Sequence, residues 1–174
     1  MDPFLETLGP SYSQEQAHEL ATHLYDLYST PVPFTVFPDA RRFLSNIQPL
    51  RGQDLKLGVI TNFDRRIVSI AEQLNLSRQF DFITYSEAAR SSKPEPEIFL
   101  HALRESGLNE EEIGGGERVL HVGDDVEKDY LGAKSQGWNA LLLDREGQGV
   151  PSVVEQEDVA RDFDEVWRRL SSAR

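Results

Sequence analysis

Three places in this sequence hold residues whose types and spacing fit chemistry at a phosphate and a hard cation. In the first, Gly123 is followed by Asp124, Asp125 and then Asp129. Val119, Leu120 and Val122 make a short apolar run that Gly123 breaks, which reads as a buried strand ending in a carboxylate cluster. Ions such as Mg²⁺ take oxygen ligands, typically one or two carboxylates together with phosphate oxygens. Gly-Asp-Asp is equally ordinary turn chemistry, so both readings stand. In the second place, Thr61 and Asn62 close an apolar run over residues 57–60 just before a helical pattern. A hydroxyl beside helix N-terminal N–H groups suits a phosphate oxygen, and suits a plain helix cap as well. In the third, Lys93 precedes Pro94 and a further helical pattern. A single Lys there is ordinarily solvated, but after a strand and loop its ammonium can reach the crevice at the carboxyl ends of the strands.

The elements that would position these residues are legible in the periodicity. Ser13 with Gln16 has the form of a capping box, and Ala17, Leu20, Ala21, Leu24 and Leu27 recur on one helical face. Pro31 and Pro33 then mark a boundary. A second helix is expected after Pro38, with Asp39 near its N-terminus and Phe43, Leu44 and Ile47 inward. Strands are expected at residues 55–60, 80–84, 119–122 and 139–143, with a polar loop at 48–53. Between the strands, helices carry Ile67, Ile70 and Ala71; Ile98, Phe99 and Ala102; and residues 130–136. Residues 86–92 read as a small polar loop, and Glu110 to Glu112 with Gly114 to Gly116 as a solvated turn. The last helix is expected over 158–170, after a loop at 147–157. Alternating strand and helix imply a parallel sheet with helices on both faces.

Composition narrows the function. The 174 residues are 39% hydrophobic and 28% charged, enough for one domain with a core. A net charge of -12 repels a phosphate backbone, so nucleic acid is not an expected partner. There is no cysteine, which excludes disulfides, thiolate metal sites and cysteine nucleophiles. No apolar run approaches the ~18 residues of a membrane span, so no membrane partner is expected and a soluble, cytoplasmic protein is the default.

The order and spacing of Thr61, of Ser92-Lys93-Pro94-Glu95-Pro96-Glu97-Ile98-Phe99 and of Gly123-Asp124-Asp125-Val126-Glu127-Lys128-Asp129 resemble motifs II, III and IV of the haloacid dehalogenase-like (HAD) hydrolase superfamily. The resemblance runs over residues 34–143, and Thr61 to Arg66 with Ser86 to Ala89 look similar to one branch of it. It implies a three-layer, doubly wound, Rossmann-like parallel sheet, with residues 1–30 as the remnant of a mobile helical cap and 31–174 as the α/β core. The family's chemistry is Mg²⁺-dependent phosphoryl transfer through an aspartyl-phosphate, with a second Asp two residues on as general acid and base. Thr61, with Asn62 beside it, would then bind the transferring phosphoryl. Lys93 would neutralise its charge, Asp124 would ligate Mg²⁺, and Asp125 or Asp129 would be a further ligand or support. The implied substrate is a small phosphorylated metabolite.

The family's nucleophile belongs to an Asp-x-Asp after an apolar strand that precedes the cap, and no such strand stands in this sequence. The single Asp-x-Asp, Asp162-Phe163-Asp164, falls in an amphipathic helical pattern and reads as a solvated face. The chain alone is therefore expected to be an inactive, N-terminally shortened hydrolase. In the family that first strand is central. Without it, the strands ending at Thr61 and Gly123 would each leave a row of unpaired backbone groups, unless they close on each other or borrow a strand. The alternative function is a non-catalytic module that binds a partner, or itself, through those strands. A phospho-acceptor receiver domain also carries acids, a Thr and a Lys in such a sheet, but its paired acids should come early in the chain.

Overall fold

The computed structural model describes residues 13–51, 55–109, 111–147 and 149–172. The first twelve residues of the expected cap remnant, part of the loop at 48–53 and Glu110 lie outside these. Helix α1 (Gln14–Leu27) starts at the expected capping box, Ser13 Oγ accepting from the Gln16 N–H and Gln16 Oε1 from the Ser13 N–H. Only Ala17 of its apolar stripe is buried; Leu20, Ala21, Leu24 and Leu27 are half-buried. Helix α2 (Pro38–Ile47) follows, with Pro38 at its first turn.

Among the described residues, five parallel strands then appear in two pieces. Strand β1 (Gly58–Thr61) pairs with β2 (Phe82–Tyr85), Thr61 opposite Tyr85. Strands β3 (Leu120–Gly123), β4 (Asn139–Leu143) and β5 (Val159–Ala160) form the other piece in that order, Gly123 opposite Leu142. Strands β1 and β3 do not pair with each other. The reading of β3 as a buried strand is corrected accordingly. Its residues are all half-buried, because β4 covers one edge and no described strand covers the other, whereas Ala140 to Leu143 of β4, flanked on both sides, are all buried.

Helices cover both faces. Ala140 and Leu142 pack with Ile98, Phe99, Tyr130, Ala133 and Trp138 on one side, whereas Leu141 and Leu143 pack with Phe43, Leu44, Ile47, Ala160 and Val166 on the other. The alternation along β4 therefore supplies the cores of both outer layers. The first face carries α5 (Pro96–Ser106) and α6 (Gly132–Ser135), and the second α2 and α7 (Phe163–Ser172). Helix α3 (Arg66–Gln73) follows β1, with Ile70 and Ala71 buried.

Several local expectations are corrected. Residues 86–92 contain a short helix, α4 (Ser86–Ala89). The helix expected at 130–136 is preceded by a π-helical turn at Val126–Leu131. The expected last helix instead splits into β5 and α7, because Val159 and Ala160 complete the sheet beside Leu142 and Leu143. The glycines at 114–116 are not simply solvated. Gly116 is buried at φ +106°, and a Cβ there would strike the Gly137 carbonyl, so only glycine fits.

Candidate functional site

The π-helical turn determines how the acidic cluster is laid out. Asp125 caps it, Oδ1 accepting the N–H groups of Glu127 at 3.0 Å and Lys128 at 2.8 Å, while Oδ2 pairs with Lys128 Nζ at 2.6 Å. Those contacts, Lys128 foremost, hold the Asp125 carboxyl below its ordinary range. The wide turn returns Asp129 beneath β3, against the hydrogen face of Gly123 where a Cβ would collide with its carboxylate.

Asp129 is buried and fully engaged. Its Oδ1 accepts from Lys93 Nζ at 2.6 Å and lies 2.9 Å from His121 Nε2, and its Oδ2 accepts the Asp125 N–H at 3.1 Å. Burial by itself would raise its pKa, but the His121 and Lys93 contacts outweigh burial and hold the group far below the usual carboxylate range. Lys93 Nζ also donates to the Ile60 carbonyl at 2.9 Å, so the ammonium joins β1 to the Asp129 turn across the division of the sheet. Two of its three donors are thereby used, and the third has no partner among the described residues.

The loop after β1 is fixed from several sides. Asn62 Nδ2 donates to the Lys93 carbonyl at 2.9 Å and Asn62 Oδ1 accepts the Lys93 N–H at 2.7 Å. Thr61 Oγ1 accepts the Phe63 N–H at 3.3 Å. The Phe63 carbonyl accepts from the N–H and hydroxyl of Ser86, and the Arg65 N–H donates to Glu87. Arg66 pairs with Asp64, donates to the Tyr25 carbonyl and lies 4.2 Å over the Tyr25 ring, attaching α1 beside this loop.

Of the residues singled out from sequence, Asn62, Lys93 and Asp129 thus form one connected group at the carboxyl ends of β1 and β3, with Thr61 ending β1 beside Asn62 and its hydroxyl turned to the Phe63 N–H. Asp124 and Asp125 begin the same turn, but only Asp124 is exposed with no hydrogen bond or ion pair among the described residues. No group of three or more His, Asp or Glu side chains among the described residues converges as a metal cage. Asp124 is the one carboxylate of this turn with lone pairs left to offer a hard cation, whose other ligands would have to be phosphate oxygens and water. Asp162 and Asp164 serve the helix instead: Asp162 Oδ1 accepts the Glu165 N–H and Asp164 pairs with Arg42. His121 was not singled out by sequence reasoning. Its signal was a polar residue alternating within the apolar run Leu120, Val122.

A parallel α/β core with a Lys and carboxylate group at its strand ends is the architecture shared with haloacid dehalogenase-type proteins. Residues 3–137 match the family described as haloacid dehalogenase-like hydrolase, and the chain belongs to that family. It is 37% identical over 153 residues to haloacid dehalogenase-like hydrolase domain-containing protein 3 of Danio rerio, covering 87% of this chain and 60% of that protein. It is 32% identical over 155 residues to rhythmically expressed gene 2 protein of Drosophila melanogaster, covering 88% of this chain and 58% of that protein. The chain thus spans less than two thirds of the length of these relatives. Among solved structures it resembles L-2-haloacid dehalogenase from Xanthobacter autotrophicus, with TM-score 0.72, 19% identity and coverage of 95% of this chain and 70% of that one. It also resembles a HAD phosphatase from Thermococcus onnurineus, with TM-score 0.69, 23% identity and coverage of 92% and 65%. These two likenesses concern the fold. Among the described residues, no helix is long and apolar enough to cross a membrane.

Proposed function

We propose that this chain carries the phosphate-binding half of a Mg²⁺-dependent phosphohydrolase site, and that the nucleophilic carboxylate comes on a strand from outside these 174 residues. One observation carries the reading. Lys93 is anchored by Ile60 and Asp129 with one ammonium donor left over, at the strand end where Thr61 offers a hydroxyl. Phosphoryl transfer depends mainly on positioning and charge stabilisation, and a fixed ammonium beside a hydroxyl supplies both for a phosphate dianion. Asn62 holds the Lys93 backbone and so sets the distance between the two groups. Asp124 is the residue that would hold Mg²⁺, whose chemistry when bound is to neutralise phosphate oxygens. Asp125 keeps the turn and Asp129 keeps the lysine. The substrate is a small phosphorylated metabolite in the cytoplasm.

The division of the sheet supports the second half of the proposal. Strands β1 and β3 run parallel to their own neighbours and do not pair with each other, and apart from exposed Gly58 their residues are half-buried, as a strand lying between them would require. The same observation favours a second reading, a non-catalytic module that takes up a partner's strand or exchanges one with a second copy. A stable oligomer that binds no phosphate would select it.

The test is calorimetric titration of the 174-residue chain with inorganic phosphate, beside hydrolysis of p-nitrophenyl phosphate with Mg²⁺. The expected outcome is phosphate binding that weakens at least about tenfold in Lys93→Met, with no turnover. Binding equal in wild type and Lys93→Met would refute the phosphate site. Turnover lost in Asp124→Ala would mean that another carboxylate is the nucleophile.

A further inference from the structure

Phosphate binding as proposed leaves His121 without a task, although its ring shares one carboxylate oxygen of Asp129 with the lysine. It stands on β3 opposite Ala140, and its side chain is only 11% exposed. Its ring meets Phe99 edge-on at 5.7 Å, and Phe99 is fully buried and edge-on to Trp138 at 5.5 Å. The imidazole is therefore held by the core rather than by solvent, and its Nε2 reaches the same carboxylate oxygen, Asp129 Oδ1, that receives the Lys93 ammonium.

We infer that His121 is a positioning residue which, through Asp129, sets where the Lys93 ammonium stands and how much of its charge remains for a phosphate. The inference rests on the reading of Lys93 as the phosphate-binding cation. The geometry supplies two effects. Asp129 Oδ2 is occupied by the Asp125 N–H, so the direction of Oδ1 is determined by its two partners, Lys93 and His121. Take away the imidazole N–H and a buried lone pair is left unmatched; the carboxylate can then turn toward the ammonium and draw it from the Ile60 carbonyl. A second donor on Oδ1 also shares its negative charge, so that the ammonium is held in place without being wholly neutralised.

Three measurements test this. In the wild-type chain, long-range ¹H–¹⁵N NMR should find His121 protonated at Nε2; a neutral ring protonated only at Nδ1 would overturn the proposal without any variant having to fold. His121→Leu should weaken inorganic phosphate binding by about tenfold, while His121→Gln, whose Nε2 can replace the lost donor, should stay within about threefold of wild type. The acetylation rate of Lys93 by acetic anhydride, read by mass spectrometry, should change in His121→Leu and return toward wild type in His121→Gln. Unchanged affinity and acetylation in His121→Leu, or equal losses in both variants, would make His121 packing alone. If the wild type binds no phosphate, the phosphate reading fails by itself, and the acetylation rates still decide whether His121 places the ammonium.

Discussion

Asn62 and Lys93 hold each other by two opposed hydrogen bonds, Asn62 Nδ2 to the Lys93 carbonyl at 2.9 Å and the Lys93 N–H to Asn62 Oδ1 at 2.7 Å. The Asn62 side chain thus ties the loop after β1 to the backbone of the segment that carries Lys93. Asn62→Ala should lower stability by about 1 kcal/mol, because the contact is exposed and water replaces part of it. Asn62→Asp keeps the acceptor for the Lys93 N–H and should lose less. Urea denaturation of the three proteins checks the order, and equal midpoints would show that the clamp contributes nothing to folding.

Gly123→Ala should damage the site through space rather than charge. The added methyl would occupy the position of the Asp129 carboxylate, so the turn at Val126–Leu131 must shift and take the Lys93 anchor with it. Overpacking of this kind costs about 1 to 3 kcal/mol. The expected result is a lowered melting temperature together with weaker phosphate binding. Retained phosphate affinity would mean that Lys93 keeps its place without Asp129.

Much of this arrangement was legible in the sequence, for reasons that differ by element. β4 was read with its observed bounds because four consecutive buried residues, Ala140 to Leu143, leave a continuous apolar run. Thr61 and Asn62 fall at a strand end because the short apolar run before them stops there, whereas Lys93 follows the helix at Ser86–Ala89 and reaches the end of β1 only through its ammonium. What stayed hidden depends on contacts distant in sequence. Val159 and Ala160 are too few for a periodic signal, and only pairing with Leu142 and Leu143 makes them a strand. Nor does spacing reveal that Asp129 would turn inward to Lys93 and His121 while Asp124 stays outward. The π-helical turn decides that, and its wide hydrogen-bond pattern leaves no mark in an apolar period.

Hydrogen exchange should reveal the division of the sheet. Amides of Ala140 to Leu143 lie in the buried part of β4, which β3 and β5 flank in turn, and should be the slowest in the sheet. Those of β1 and β3 that face away from β2 and β4 should exchange far faster. Uniform protection across β1, β3 and β4 would contradict an open boundary between the two pieces. In a longer protein that supplies the proposed strand, protection should rise in β1 and β3 and stay constant in β4.

Acid should unfold the chain through carboxylates that anchor helices outside the site. Asp39 Oδ2 accepts the Phe163 N–H at 2.9 Å and pairs with Arg145 at 2.9 Å, tying α2 to α7. Asp158 accepts from the Tyr130 hydroxyl at 2.8 Å and pairs with Lys134 at 2.8 Å. Burial acts to raise both pKa values, but the N–H and Arg145 at Asp39, and Lys134 and Tyr130 at Asp158, more than reverse it, leaving both carboxyls below their ordinary range. The unfolded chain, with carboxyls near the ordinary ~3.9, then binds more protons than the folded chain as pH falls. Their stabilisation is complete above that value and is lost as pH drops from about 4 toward the lower folded values. Denaturant midpoints between pH 6 and pH 2 should show this loss. Asp158→Asn should be less stable than wild type at pH 6 and should fall less steeply below pH 4. A slope equal to that of wild type would mean that the Tyr130 and Lys134 contacts to Asp158 contribute nothing to acid sensitivity.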